Sequence, residues 1–293
     1  MAMLSTQQKA GLKPTKAWQR LAKRVSSTSA ATAETFEIDL PRDHFIHEII
    51  ITVYESNADT YDPSELADDL TNIQLIANGN KYLKDMTAGM CKQIMKINKR
   101  KPATGLYEIF FTDPKIPDAM PLPAWIFTSL VLKITDNAPA SGNKHYIDIV
   151  VVESAYEGQD LSNWKVLVEK YLKWKKYGTN TGEQLYQHER AYKIYGYLYV
   201  MDDNGTLSNT IFNKIKLLGR KPEGEVTICD VPVTLLRAEN GAEIGIDTLD
   251  TGYAFLEWKD GFPAHEFASL YSKPNIPSAG TNAGLRVLER YVL

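Results

Sequence analysis

Cysteine is nearly missing from this 293-residue chain: Cys91 and Cys229 are the only two, one in each half, and neither lies in a Cys-x-x-Cys or Cys/His pattern. That argues against a disulfide framework or a cysteine-based zinc site. Long apolar runs are lacking too. No stretch approaches the roughly 20 apolar residues that a membrane-spanning helix needs, and the first residues carry no continuous apolar core of the secretory kind. Folding in a cytoplasm is the expectation. The chain also has no Gly-x-Ser-x-Gly elbow, no Gly-x-x-x-x-Gly-Lys phosphate loop and no dinucleotide fingerprint after a strand. No catalytic residue, resident metal or cofactor is assigned from the sequence.

The longest acid-free stretch opens the chain. Residues 1–33 hold Lys9, Lys13, Lys16, Arg20, Lys23 and Arg24 and none of the chain's 36 Asp and Glu residues, so a basic arm precedes an acidic body. Within Gln7 to Val25, Trp18, Leu21, Ala22 and Val25 follow helical spacing, with Pro14 suited to a first turn. The small, polar stretch Ser26 to Ala33 reads as a connector, and the folded body is expected from Glu34.

What is abundant is strand signal. In the first half it covers Phe36 to Leu40, Ile46 to Tyr54, Ile73 to Ala77, Gln93 to Ile97, Leu106 to Phe111, Phe127 to Thr135 and Tyr146 to Glu153. In the second it covers Tyr192 to Met201, Thr210 to Leu218, Val226 to Ile228, Val233 to Arg237, Glu243 to Ile246, Tyr253 to Lys259 and Leu285 to Val292. Asn78-Gly79, Asn204-Gly205 and Asn240-Gly241 read as tight turns. The crossover helices that parallel sheets require are largely missing, which argues for antiparallel sandwiches. Thr104-Gly105-Leu106-Tyr107-Glu108-Ile109-Phe110-Phe111-Thr112-Asp113 has a counterpart 147 positions later in Thr251-Gly252-Tyr253-Ala254-Phe255-Leu256-Glu257-Trp258-Lys259-Asp260. Thr, Gly and Asp match outright, as expected of two halves with one layout. Between the halves, Trp164, Leu167, Val168, Tyr171, Leu172 and Lys175 share a helical face, with Ser162 as cap and Gly178 as stop, and predict a short linking helix.

The polar candidates read as structural. His44 and His47 are three apart at a strand and should face opposite sides, unlike paired ligands on a helix. Asp202-Asp203-Asn204-Gly205 starts like a calcium loop, but Asn213 stands at the position that needs a bidentate acid. Tyr195, Tyr197 and Tyr199 alternate along one side of a strand and suit a core or a sandwich contact better than a sugar-stacking face.

Phe36-Glu37-Ile38-Asp39-Leu40-Pro41-Arg42-Asp43-His44-Phe45-Ile46-His47-Glu48-Ile49-Ile50-Ile51-Thr52-Val53 resembles the opening of double jelly-roll major capsid proteins of tailless, icosahedral, membrane-containing bacteriophages, the corticovirus-like members above all. The resemblance implies an all-β fold of two eight-stranded jelly-roll β-sandwiches side by side, with a basic N-terminal arm and a short linking helix. The segments would be an arm at 1–33, a first jelly roll at 34–155, a linker with helix at 156–182 and a second jelly roll at 183–293. It implies a homotrimeric, non-enzymatic tile of a virion shell, assembled in the host cytoplasm, with neighbouring capsid trimers and minor capsid proteins as partners. Lys9, Lys13, Lys16, Trp18, Arg20, Leu21, Lys23 and Arg24 would face the particle interior and contact an internal lipid membrane, with nucleic acid ranked behind it. The competing expectations are a two-domain carbohydrate-binding or glycoside-active β-sandwich protein, and an adaptor that uses its arm on a membrane surface or nucleic acid.

Overall fold

The structure, a computed structural model, describes residues 17–25, 33–57, 62, 64–113, 115–116, 119–140, 142–155, 161–162, 164–171, 174–189, 191, 193–244, 249–278 and 280–293; of residues 17–25, 57, 243 and 244 it describes the backbone only. Two compact units result. One comprises Met1–Lys92 and Pro102–Val166, the other Gln93–Lys101 and Leu167–Leu293.

The first unit contains β1 (Ala17–Val25), β2 (Thr35–Asp39), β3 (Phe45–Asn57), β4 (Leu70–Ala77), β5 (Lys81–Thr87), β6 (Leu106–Phe110), β7 (Leu122–Pro123), β8 (Leu130–Asp136) and β9 (Asn143–Ser154). One sheet runs β1-β9-β3-β6, with β7 also beside β3, and the other runs β2-β8-β4-β5. Every one of these pairings is antiparallel. Ile49, Ile51 and Val53 of β3, Ile73, Leu75 and Ala77 of β4, Leu132 and Ile134 of β8, and Ile147, Ile149 and Val151 of β9 are all buried. Alternation of period two puts these branched side chains on one face of each strand.

The second unit contains β10 (Leu167–Tyr171), β11 (Lys175–Gly178), β12 (Gly182–Glu183), β13 (Tyr186–Gln187), β14 (Lys193–Asp203), β15 (Thr206–Leu207), β16 (Lys214–Lys221), β17 (Gly224–Pro232), β18 (Tyr253–Phe262), β19 (Ser269–Ile276) and β20 (Ala283–Val292). β20 pairs with β10 and then β11 on one side and with β14 on the other, and β14 also pairs with β18. In the second sheet β19 lies between β12/β13 and β16, which pairs on with β17. With β10/β11 in place of β1, β20 of β9, β14 of β3 and β18 of β6, the strand order of the first unit recurs. It is a jelly roll twice over.

The Thr-Gly repeat falls on the same place in both units. Gly105 and Gly252 have φ of +68° and +82°, and their carbonyls accept from Val53 N–H at 2.8 Å and Met201 N–H at 2.7 Å. The Val53 and Met201 carbonyls in turn accept from Ala67 N–H at 3.0 Å and Ser208 N–H at 3.0 Å. A second repeat, unread in the sequence, is Pro123-Ala124-Trp125-Ile126-Phe127 against Pro263-Ala264-His265-Glu266-Phe267. Both are single 3₁₀ turns in which the Phe N–H returns to the Ala carbonyl and both Ala and both Phe are buried.

Four local expectations are corrected. Helix α1 (Ala88–Ile97) replaces the strand expected at Gln93 to Ile97. Met90, Cys91, Ile94, Met95 and Ile97 are buried at helical spacing, and the Thr87 hydroxyl accepts from Met90 N–H at 3.2 Å as a cap. Helix α2 (Val233–Ile244) replaces the strands expected at Val233 to Arg237 and Glu243 to Ile246 and the turn at Asn240-Gly241. Buried Asn240 offsets its poor helix propensity by pairing with the backbone of Phe255, donating from Nδ2 at 2.7 Å and accepting at Oδ1 at 2.8 Å. The linking helix is instead β10 and β11. Leu167 to Tyr171 lies opposite Val292 to Leu288, so a ladder with β20 outweighs a helical pattern of about three turns. Leu172 of that expected face lies outside the described residues. Finally, the arm is not wholly outside the folded body. Ala17–Val25 is a strand along β9, Trp18 opposite Val152 and Arg24 opposite Ile147, which rules out the helical face expected across Trp18, Leu21, Ala22 and Val25.

Candidate functional site

The sequence-derived arm residues fall into two groups. Lys9, Lys13 and Lys16 lie outside the described residues, and Trp18, Arg20, Leu21, Lys23 and Arg24 lie on the backbone of β1. The strand is irregular between Arg20 and Ala22, where its register along β9 shifts.

Three of the five histidines, His47, His145 and His188, are buried, while His265 is exposed and His44 half-buried. β3 bulges between Ile46 and Glu48, which breaks the strand parity and turns His47 inward, where its Nε2 is 2.7 Å from Ser154 Oγ. His44 precedes the strand, 2.8 Å from Asp43 and 3.9 Å from Glu153. Burial pushes the His47 imidazole from 6.5 down to about 4. The unfolded chain therefore binds a proton near pH 6.5 that the native state refuses until about pH 4. Stability present above pH 6.5 should fall by about 3 kcal/mol across that window. Burial pushes Glu153 up and acts in the opposite sense, so the informative quantity is a difference. His47→Gln should flatten the pH dependence of urea unfolding between pH 6.5 and 4 relative to wild type, and coincident slopes would discard this account.

In the second unit the Ser272 Oγ is 2.7 Å from His188 Nε2, and His188 Nδ1 is 2.9 Å from Glu289 Oε1. This is the order of a hydrolytic triad. All three side chains are buried, however, the Ser272 oxygen also meets the Tyr199 hydroxyl at 3.0 Å, and the His188 ring stacks on Tyr197 at 4.1 Å. Burial raises the Glu289 carboxyl above its ordinary range. A hydroxyl so enclosed cannot reach a substrate, and the network instead ties β20, β19 and β14 together. A cleft of about 650 Å³ opens nearby, lined by Trp174, Tyr186, His188, Glu189 and Phe267 among others. Its outward carboxylate, Glu189, is paired with Lys170 at 3.0 Å. Tyr197 and Tyr199 belong to the core of this unit, as the plainer reading of the tyrosine stripe expected.

The suspected calcium loop is a turn. Asp202 Oδ1 accepts from Gly205 N–H at 3.0 Å and Asp203 Oδ1 from Asn282 N–H at 2.7 Å, so these oxygens cap backbone. His145 is different. It is fully buried and meets carboxylates at both ring nitrogens, Asp136 at 2.9 Å and Asp69 at 3.2 Å. No motif marks the cluster that these three form with Glu55, because its members come from four separate strand ends.

The sequence matches no protein-family model and no curated protein. Solved structures do match. The major capsid protein of STIV superposes with a TM-score of 0.67 at 14% identity, over 92% of this chain and 96% of that one. The fold is that of double jelly-roll major capsid proteins. A chain of the Sulfolobus Turreted Icosahedral Virus particle gives a TM-score of 0.66 at 16% identity, covering 93% of this chain and 90% of its own length. The major capsid protein P2 from bacteriophage PM2 gives 0.62 at 12% identity, over 95% and 98%. The likeness thus reaches beyond bacteriophages, since STIV is an archaeal virus.

Proposed function

We propose that this chain is a structural rather than catalytic protein, the major capsid protein of an icosahedral virus built around an internal membrane. The observation that carries the reading is the repetition of one strand order in two jelly rolls along a single chain, in a fold shared over nearly its whole length with viral capsid proteins. Two similar sandwiches per chain give a trimer six similar units, an outline that packs in hexagonal arrays, with closed symmetry limiting each tile to three copies. Contacts of this kind bury well over about 1,000 Å² each. Neighbouring trimers and minor capsid proteins would complete the shell, with assembly in the host cytoplasm.

The basic arm is proposed to face the particle interior. Lys9, Lys13, Lys16, Arg20, Lys23 and Arg24 would bind an anionic membrane surface, each contributing on the order of 1 kcal/mol. Because Ala17–Val25 is a strand, this adhesion rests on charge and not on an amphipathic helix through Trp18 and Leu21.

Light scattering on the size-fractionated protein is expected to give three times the 33.0 kDa chain mass. The same trimers should float with anionic vesicles at low salt, less so at physiological salt, and not after all six bases are replaced by Gln. A stable monomer would remove the tile. Flotation indifferent to salt and to the six replacements would remove the membrane contact.

A further inference from the structure

Four strand ends of the first unit meet at one place. Glu55 lies near the end of β3, Asp69 directly precedes β4, Asp136 ends β8, and His145 stands opposite Glu55 in the β3–β9 ladder. The side chains of His145 and Asp136 are fully buried, with Asp136 Oδ2 2.9 Å from Nδ1 of the ring. The other ring nitrogen, Nε2, is 3.2 Å from Asp69 Oδ2 and 4.0 Å from Glu55 Oε2. Glu55 is oriented through its second oxygen, Oε1, which accepts from Ala140 N–H at 2.7 Å and from Asn143 Nδ2 at 3.0 Å. Asp136 is oriented likewise, its Oδ1 accepting from Glu34 N–H at 2.6 Å.

We infer that Glu55, Asp69 and His145 form a site for one divalent metal ion of the kind that takes mixed imidazole and carboxylate ligands, Zn²⁺ first among them, with Asp136 orienting the imidazole from behind. Two donors bound to one zinc at about 2.1 Å can stand no more than about 4.2 Å apart. The 3.2 and 4.0 Å separations lie within that limit, and a tetrahedral ion, whose ligand atoms stand about 3.4 Å apart, would draw the Glu55 oxygen inward by about half an ångström. A buried carboxylate behind a ligating imidazole is the arrangement that fixes the tautomer and directs the second nitrogen at a metal. Charge points the same way, because three carboxylates surround one imidazole, an excess that a dication largely offsets. Glu55 and Asp69 side chains are 20% and 27% exposed, leaving an open side for entry and for water ligands. The imidazole sets this donor set apart from the all-oxygen cages that calcium and magnesium prefer.

The second jelly roll supplies an internal contrast. Equating Val53 with Met201, as the glycine contacts do, places Glu55 and His145 at the ladder positions of Asp203 and Ala283. No imidazole stands there, and Asp203 caps Asn282 instead. One ion per chain is therefore expected.

Isothermal titration of the chelator-treated full chain with ZnCl₂ should show one saturable site. Glu55→Gln, which keeps an acceptor for Ala140 N–H, and Asp69→Asn should each weaken binding at least about tenfold, and Asp136→Asn by about 10 to 100-fold through misdirection of the ring. Circular dichroism establishes that each variant is folded. Co²⁺ in place of Zn²⁺ should give a visible absorption band that His145→Gln abolishes. Lack of saturable binding would overturn the inference and leave a proton on the imidazole as the cluster's counter-charge; binding unchanged in folded Glu55→Gln and Asp69→Asn would overturn it by placing the ion elsewhere. Either result is independent of whether the chain forms trimers.

Discussion

Replacing Arg290 by Met is expected to destabilise the second unit by about 3 to 5 kcal/mol, the cost of leaving a buried charge without its partner. Arg290 and Glu169 are each only 1% exposed and face each other across the β10–β20 ladder, with Nε donating to Oε1 at 2.8 Å. The guanidinium also donates to Asn98 Oδ1 at 3.4 Å and lies 5.8 Å from the Phe255 ring centre. Arg290→Met takes the paired cation away from the buried Glu169 carboxylate. The double variant Arg290→Met with Glu169→Leu removes both charges at similar volume and should recover most of the loss, because desolvating two ions offsets much of their attraction. Urea unfolding followed by hydrogen exchange of the β20 amides reads both. A single-variant loss under about 1 kcal/mol, or a double variant no better than the single, would contradict this account.

Gly105→Ala should cost about 3 kcal/mol, and Gly79→Ala only about 1 kcal/mol, although both glycines have φ between 60° and 90°. The backbone strain is common to both; the surroundings are not. A Cβ at Gly105 would be driven into the Val53 carbonyl oxygen and would stand 3.1 Å from Ala67 N, whereas one at Gly79 meets nothing within 4 Å. The clash falls on backbone that accepts and donates the hydrogen bonds closing this end of β3, so relief means breaking them. Gly252→Ala should repeat the result in the second unit, where a Cβ would come 2.8 Å from the Met201 carbonyl oxygen, with Gly205→Ala as its open control. Equal losses at Gly105 and Gly79 would show that φ alone governs the repeat.

These two experiments also separate what could be read in the sequence from what could not. The strands at Ile46 to Tyr54, Ile73 to Ala77 and Leu285 to Val292 were legible because each needs only its own alternation and bounding turns. Asn78-Gly79 and Asn204-Gly205 were legible because few other pairs accept positive φ twice, and Asn78 and Asn204 adopt φ of 52° and 53°. Val233 to Ile244 and Gln93 to Ile97 were misread, since a short branched or apolar run suits helix or strand equally until its neighbours are known. The strands Lys81–Thr87 and Ser269–Ile276 escaped notice, since their edges of Lys, Ser and Asn carry little β signal and the ladders beside them supply the order.

By itself the sequence determined the all-β class, the twofold repeat of layout, the tight turns at Asn78-Gly79 and Asn204-Gly205, and, through the resemblance at Phe36 to Val53, the double jelly roll. Such features depend on local periodicity and on backbone angles that one or two residues specify. Only the tertiary structure decided that Leu167 to Tyr171 joins β20, that Ala17 to Val25 lies along β9, and that Glu289 and Arg290, adjacent in one strand, are buried on its opposite faces with His188 and Glu169. It likewise decided the meeting of Glu55, Asp69, Asp136 and His145, which span 90 residues of chain and share no spacing rule. A charge in a strand reads as exposed until its partner is found, and the partner is set by ladder register, a property of two distant segments that neither segment carries alone.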